Sequence, residues 1–201
     1  MKVGLIGAGR IGAFHAKNLV SLEGVTSLFV ADVDLGQAER VAKDIGARAL
    51  PDVSSLIEEV DALVIAAATD VHAELIRAGA EAGLPIFCEK PISLDLVSTV
   101  SALNVVEQNG VALQIGFQRR FDPGYIEARR LVASGDIGRL YAARLATHDP
   151  QPAHDAYIRA SGGLFRDMMI HDFDVLRWTT GLEVIKVYAQ GNALTDNKAF
   201  P

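Results

Sequence analysis

The stretch that most restricts what this chain can fold into is its opening dozen residues, MKVGLIGAGRIG. Residues 3–6 are a short apolar run of strand type, Gly7, Gly9 and Gly12 follow on a G-x-G-x-x-G spacing, and a helical pattern covers residues 10–21. Each glycine has its own physical task. The first permits a tight turn, the second lets backbone approach a pyrophosphate, and the third lets helix pack close to strand. The start of the helix then presents unpaired N–H groups and a partial positive charge to phosphate oxygens. A second apolar run over residues 25–31 ends in Asp32, 20 residues beyond Gly12, where a carboxylate can accept hydrogen bonds from ribose hydroxyls. Glycine-rich turns alone are common, but strand, turn, helix, strand and acid in this order predict a dinucleotide site. Asp32 would repel a 2′-phosphate, and Val33, Asp34 and Leu35 supply no cation, so the pattern predicts NAD rather than NADP.

Composition narrows the class further. Of the 201 residues, 50% are hydrophobic and 22% charged, which is ample material for a buried core. A net charge of −6 with no basic stripe gives no electrostatic case for nucleic acid or an anionic membrane as partner. The one cysteine, Cys88, excludes an internal disulfide, suits a reducing compartment and reads as a small buried hydrophobe. The apolar N-terminus is short and broken by glycines, unlike a signal peptide, and no stretch approaches the length of a transmembrane helix. A soluble, cytoplasmic protein is expected.

Beyond Asp32 the pattern alternates. Helical periodicity over residues 37–44, around Leu56 and Ile57 after a capping Asp52, over 69–81 and over 93–108 is interleaved with strand-like runs at 48–50, 61–67, 85–87 and 111–115. Such alternation with short connections predicts an α/β fold with a doubly wound parallel sheet, the Rossmann arrangement, over residues 1–120. The pattern then changes. A helix over 122–133, a strand-like run over 139–147, a polar loop carrying Pro150, Pro152, His148 and His154, a helix over 164–179 and a second strand over 183–191 predict a separate α+β domain with an open sheet over 121–201. Two strands and little else make a marginal layer, so this second domain reads as incomplete and the chain as a fragment.

Ligands of open parallel sheets bind beyond the carboxyl ends of the strands. Three stretches lie there: residues 67–72, 88–91 and 116–120. Lys90, between a buried strand and a proline, is either pinned at the cleft as a donor to a substrate oxygen or is a solvated surface lysine; Pro91 is a candidate for a cis bond. Asp167 and His171 are four residues apart and share a helical face. A histidine there can take an alcohol proton near neutral pH while a carboxylate one turn away orients it, or the two form a structural pair. A metal set of Asp167, His171 and Asp172 with His148 or His154 lacks any recognised ligand spacing, and no metal is expected. His15 reads as a packing or surface residue, His72 as either a structural residue or a cofactor contact, and Trp178 as core.

Together these residues resemble the Gfo/Idh/MocA oxidoreductase family, most closely its inositol dehydrogenases. The resemblance runs through residues 7–12, Asp32, Ala68 and Thr69 to His72, Glu89-Lys90-Pro91, residues 116–121, and Gly162-Gly163-Leu164 to His171-Asp172. It implies NAD-dependent oxidation of a ring hydroxyl of an inositol or related sugar or polyol. Carried over by position, Lys90, Asp167 and His171 are the catalytic set: His171 as general base, Asp167 orienting it and touching substrate, Lys90 binding the reacting oxygen. Gly7, Gly9, Arg10, Ile11, Gly12, Asp32, Val33, Ala68, Thr69, His72, Glu89, Lys90 and Arg119 are its implied cofactor contacts, and Gln118 and His148 join the catalytic set as substrate contacts. The resemblance also implies a homo-oligomer, dimer or tetramer. Two other readings stay open: a catalytically silent dinucleotide-binding sensor, and NAD-assisted glycoside cleavage on the same scaffold.

Overall fold

The computed structural model describes residues 1–149, 151, 157–158 and 161–191. The chain divides into two compact units, Met1–Gly116 and Phe117–Pro201.

The first unit is one six-stranded sheet in the order β3-β2-β1-β4-β5-β6. Its strands are β1 (Lys2–Ile6), β2 (Ser27–Ala31), β3 (Arg48–Ala49), β4 (Ala62–Ile65), β5 (Ile86–Cys88) and β6 (Leu113–Ile115), and every neighbouring pair is parallel. Between them run α1 (Arg10–Val20), α2 (Leu35–Ile45), α3 (Val53–Glu59), α4 (Thr69–Glu81) and α5 (Leu96–Asn109). The strand order grows outward in one direction from β1 through β2 to β3 and in the other through β4 to β6. The reversal falls between β1 and β4, the crevice where sheets of this kind receive ligands.

Near-continuous apolar strands are what a sheet covered on both faces requires. Successive side chains alternate between the two cores: Leu28 and Val30 of β2 join Val3, Leu5 and Val64 on one face with Ala16, Ala38 and Ala42 of α1 and α2. Phe29 and Ala31 join Ile6, Leu63 and Ile65 on the other, with Leu56, Ile76, Ala80, Ala102 and Val106 of α3, α4 and α5. Three helices of this unit start on aspartates whose side chains accept a backbone N–H three residues on: Asp34 from Gln37, Asp52 from Ser55 and Asp95 from Ser98. The carboxyls of Asp52 and Asp95 are held below their ordinary value chiefly by those backbone hydrogen bonds. Cys88 is fully buried, and burial pushes its thiol far above the range in which a thiolate forms, so it is inert core.

The second unit begins with a 3-10 turn, Gln118–Phe121, and α6 (Pro123–Ser134), whose N-cap Asp122 accepts from Gly124 and Tyr125 and whose first position is Pro123. Further along lie α7 (Gly163–Asp167) and α8 (Ile170–Thr180). The single helix read over 164–179 is therefore interrupted at Met168 and Met169. There the Met169 N–H reaches back five residues to the Leu164 carbonyl, and His171 N–H then reaches back only three, to Met168. A wide turn followed by a tight one breaks the regular four-residue ladder. The runs 139–147 and 183–191, read as strands, form no β-ladder among the described residues. A strand exists only by pairing, and these two are not paired with each other; Tyr141, Ile185, Val187 and Tyr188 stand exposed along them. His154 lies outside the described residues.

Candidate active site

The loop between β1 and α1 takes the shape that its glycines require. Gly7 has φ +97, and its N–H donates to the Ala31 carbonyl at 2.9 Å, tying the turn to the end of β2. A Cβ at Gly12 would overlap the Gly7 carbonyl oxygen outright and sit 2.8 Å from its carbon. A Cβ at Gly9 would meet nothing within 4 Å. Gly9 is also the N-cap of α1, makes no side-chain capping bond, and is followed by a first turn without an acid. The helix start is thus uncapped by a side chain, without an acid in its first turn and open above its middle glycine, which is the fit that a pyrophosphate needs.

Asp32 sits on the far side of this loop, just beyond β2. Its Oδ2 accepts the Ala8 N–H at 2.6 Å and its Oδ1 the Asp34 N–H at 2.9 Å. Those bonds aim the carboxylate and leave each oxygen a second lone pair for ribose hydroxyls. Gln37 completes the wall by donating to the Ala8 carbonyl at 2.7 Å. Arg10 and Ile11 are exposed in the first turn of α1, and Val33 stands wholly in solvent beside Asp32. Ala68 caps α4, exposed, with Thr69 half-buried behind it.

The end of β5 is held more firmly than its sequence suggests. Glu89 N–H donates to the Ile65 carbonyl at 2.9 Å, and its side chain meets His15 Nε2 at 2.7 Å. Burial alone would raise the Glu89 carboxyl; the hydrogen bond and charge of His15, then Lys90, more than offset it, so the group lies below its ordinary value. Lys90 follows, half-buried, and the Lys90–Pro91 bond is cis. His72 is only 1% exposed, with Nδ1 2.8 Å from the Pro91 carbonyl and Nε2 3.0 Å from the Ala67 carbonyl. Both ring nitrogens therefore face backbone. His72, read from the sequence as either a structural residue or a cofactor contact, is placed as a brace between α4 and the segment after β5.

In the second unit Phe117 and His171 form an edge-to-face pair, ring centroids 6.5 Å apart. His171 is half-buried in the first turn of α8, and Asp167 closes α7, where Tyr157 Oη donates to its Oδ1 at 3.0 Å. Two buried acids flank Phe173 on α8. Asp172 is paired with Arg119 and accepts Thr147 Oγ1 at 2.9 Å, while Arg119 Nη2 also donates to Thr147 Oγ1 at 3.0 Å. Asp174 takes a two-pronged bond from Arg120, at 2.9 and 2.5 Å. The hydrogen bonds to Asp174 raise the Arg120 guanidinium above its ordinary value.

These pairs bear on two of the sequence readings. Arg119, read as a cofactor contact, is drawn inward to Asp172 and Thr147 with 18% of its side chain exposed. Asp172, a member of the conceivable metal set, is neutralised by that arginine, and no group of three metal-binding side chains exists among the described residues. Gln118, in the 3-10 turn, and His148, just past the run 139–147, are both exposed. Sequence reasoning missed His15–Glu89 and the two arginine–aspartate pairs. The signal for the latter was present: adjacent arginines at 119–120, and two acids set among Ile170, Phe173, Val175 and Leu176 that need cations where that helix is buried.

A parallel sheet with this strand order, an open helix N-terminus over β1 and an aimed carboxylate after β2 define a dinucleotide-binding α/β domain. Residues 1–117 match the oxidoreductase family with an NAD-binding Rossmann fold, and residues 125–199 match the Gfo/Idh/MocA C-terminal domain. The chain belongs to the Gfo/Idh/MocA oxidoreductase family. It is 41% identical over 197 residues to the myo-inositol dehydrogenase Hyg17 of Streptomyces leeuwenhoekii, covering 97% of this chain and 60% of that one. The crystal structure of a probable dehydrogenase from Thermotoga maritima superposes with TM-score 0.95 at 38% identity, over 99% of this chain and 61% of that one. A scyllo-inositol dehydrogenase from Lactobacillus casei, solved with NAD(H) and scyllo-inositol, superposes at 0.77 and 32% identity, over 90% and 56%. The chain spans about three fifths of the length of the curated relatives it matches.

Proposed function

We propose that this chain carries the cofactor site and the acid–base residues of an NAD-dependent dehydrogenase that oxidises a ring hydroxyl of an inositol or a closely related polyol. The observation that carries the reading is the aimed Asp32 carboxylate beside an uncapped glycine turn, in a chain of which 97% aligns with an inositol dehydrogenase. Bound NAD would supply the acceptor for the hydrogen that leaves carbon with its electron pair. The protein's own residues do the rest. Backbone N–H groups at Gly9 and the start of α1 hold the pyrophosphate, and Asp32 holds the adenosine ribose. His171 accepts the hydroxyl proton as the ring carbon becomes a carbonyl, Asp167 orients the imidazole, and Lys90 donates to the reacting oxygen and stabilises charge developing on it.

The same reading takes the protein to be a homo-oligomer, a dimer or tetramer, in the cytoplasm. The exposed apolar side chains Ile185, Val187 and Tyr188 on the extended run of the second unit support association. No helix among the described residues is long and apolar enough to cross a membrane.

The test is NADH formation, followed at 340 nm, against a panel of inositols and aldoses with NAD or NADP. Oxidation of at least one inositol with NAD supports the proposal; activity confined to non-polyol substrates, or a preference for NADP, would overturn it. The Asp32→Ser, Val33→Arg double substitution is expected to move the NAD/NADP preference toward NADP by about a hundredfold, since it removes one repulsive charge and adds one attractive charge at the ribose. Relative kcat/KM for the two cofactors reads it.

A further inference from the structure

The topology assigns the two halves of a dinucleotide to different strands. Asp32, after β2, marks the adenosine side, and the Gly9 turn after β1 marks the pyrophosphate. The other half must then lie toward β4 and β5, where residues 66–69 and Glu89-Lys90 end their strands. Lys90 is bracketed there. Its successor's carbonyl is held by His72, and its predecessor's carboxylate by His15.

His15 belongs to α1, the helix whose N-terminus faces the pyrophosphate, so its bond to Glu89 spans 74 residues of sequence and links two parts of one site. The pair is sheltered, with 20% and 23% of the two side chains exposed. The imidazole meets Phe87 edge-to-face at 5.4 Å, and the Glu89 carboxylate nearly fills the space a side chain at Gly116 would need, Oε2 lying 2.9 Å from that Cβ position. A charge-assisted bond in such a place fixes geometry as well as adding stability.

We infer that His15 is a positioning residue: through Glu89 it fixes the end of β5, and with it Lys90, relative to the phosphate-binding helix, and so sets how the nicotinamide half of the cofactor seats. The inference rests on the dinucleotide reading of the site and is independent of the polyol. Loss of His15 must then be felt by the nicotinamide half and not by the adenosine half.

The experiment measures NADH binding by nicotinamide fluorescence and ADP-ribose binding by calorimetry, on the whole chain, for the parent, His15→Ala and His15→Gln. ADP-ribose keeps adenosine and pyrophosphate and lacks nicotinamide. His15→Ala is expected to weaken NADH about tenfold, with reduced fluorescence enhancement, and to leave ADP-ribose within about twofold of the parent. His15→Gln, whose amide nitrogen can still donate to Glu89, is expected to restore most of the loss. Equal weakening of both ligands would mean that His15 merely supports α1 and would overturn the inference, as would an unchanged NADH affinity. Should His15→Ala fail to fold, His15→Phe, which keeps a ring against Phe87 but cannot donate to Glu89, is read by the same two ligands and the same criteria. Failure of every polyol to react, with NADH still weakened selectively, would sink the substrate assignment and leave this one standing.

Discussion

His171→Ala, which removes the proposed base, is expected to lower turnover of the proposed inositol substrate by about a thousandfold while leaving NADH affinity within about twofold of the parent. The imidazole stands in the first turn of α8, its ring held edge-on by Phe117, so truncation removes a proton acceptor without touching the glycine turn or Asp32. A base lost from an alcohol oxidation has a specific signature. The residual rate should rise steeply with pH, because hydroxide then does what the imidazole did, and small exogenous amines should restore part of it. Steady-state kinetics at several pH values, with NADH binding measured in parallel, reads all three. Parent-like turnover would remove His171 from the chemistry.

The second large effect is at Gly12. An alanine there would put its methyl group into the Gly7 carbonyl, and the obstacle is backbone that cannot rotate aside. Relief requires moving α1 away from β1, which breaks the Gly7–Ala31 bond and the packing of Ala16 against Val3 and Leu5. A cost of about 3 kcal/mol or more is expected for forced overpacking of this kind, with NADH binding lost. Gly9→Ala gives the contrasting case. Its methyl group meets no protein atom within 4 Å, so the melting temperature should stay near the parent's. NADH affinity should nevertheless fall sharply, because the methyl occupies the space the pyrophosphate would fill. Melting curves and NADH titrations on the two variants read the difference. If Gly9→Ala binds NADH normally, the pyrophosphate does not lie over this turn.

The first unit was largely legible in the sequence because its information is local. Apolar runs of strand length, a capping aspartate such as Asp52 and a stop at Gly46 each act within a few residues, and the six parallel strands follow from their alternation. What escaped was non-local. His15 and Glu89 are 74 residues apart, Arg119 and Asp172 are 53 apart, and no periodicity links such partners. The helix break at Met168 and Met169 was hidden for another reason: both residues favour helix, and the interruption is a slip of the hydrogen-bond ladder without any breaker residue. The runs 139–147 and 183–191 have strand composition, but composition only permits a ladder, and a partner must supply it.

The site assignments divide along the same line. The proposed role of Asp32 comes from spacing within one contiguous turn, where its carboxylate accepts the N–H groups of Ala8 and Asp34. Arg119 could not be read from spacing, since an arginine after a strand end serves a cofactor or a buried acid equally well until the helix carrying Asp172 is in place. Lys90, Asp167 and His171 rest on position within a family pattern, and their roles remain proposals for experiment.

The most direct test of the central claim follows the hydrogen itself. The chain is incubated with NAD and an inositol deuterated at every ring carbon, and the NADH formed is analysed by mass spectrometry. The account predicts NADH carrying one deuterium, delivered from a ring carbon, together with an inosose that has lost one. Unlabelled NADH, or oxidation of inositol without NADH, would contradict it.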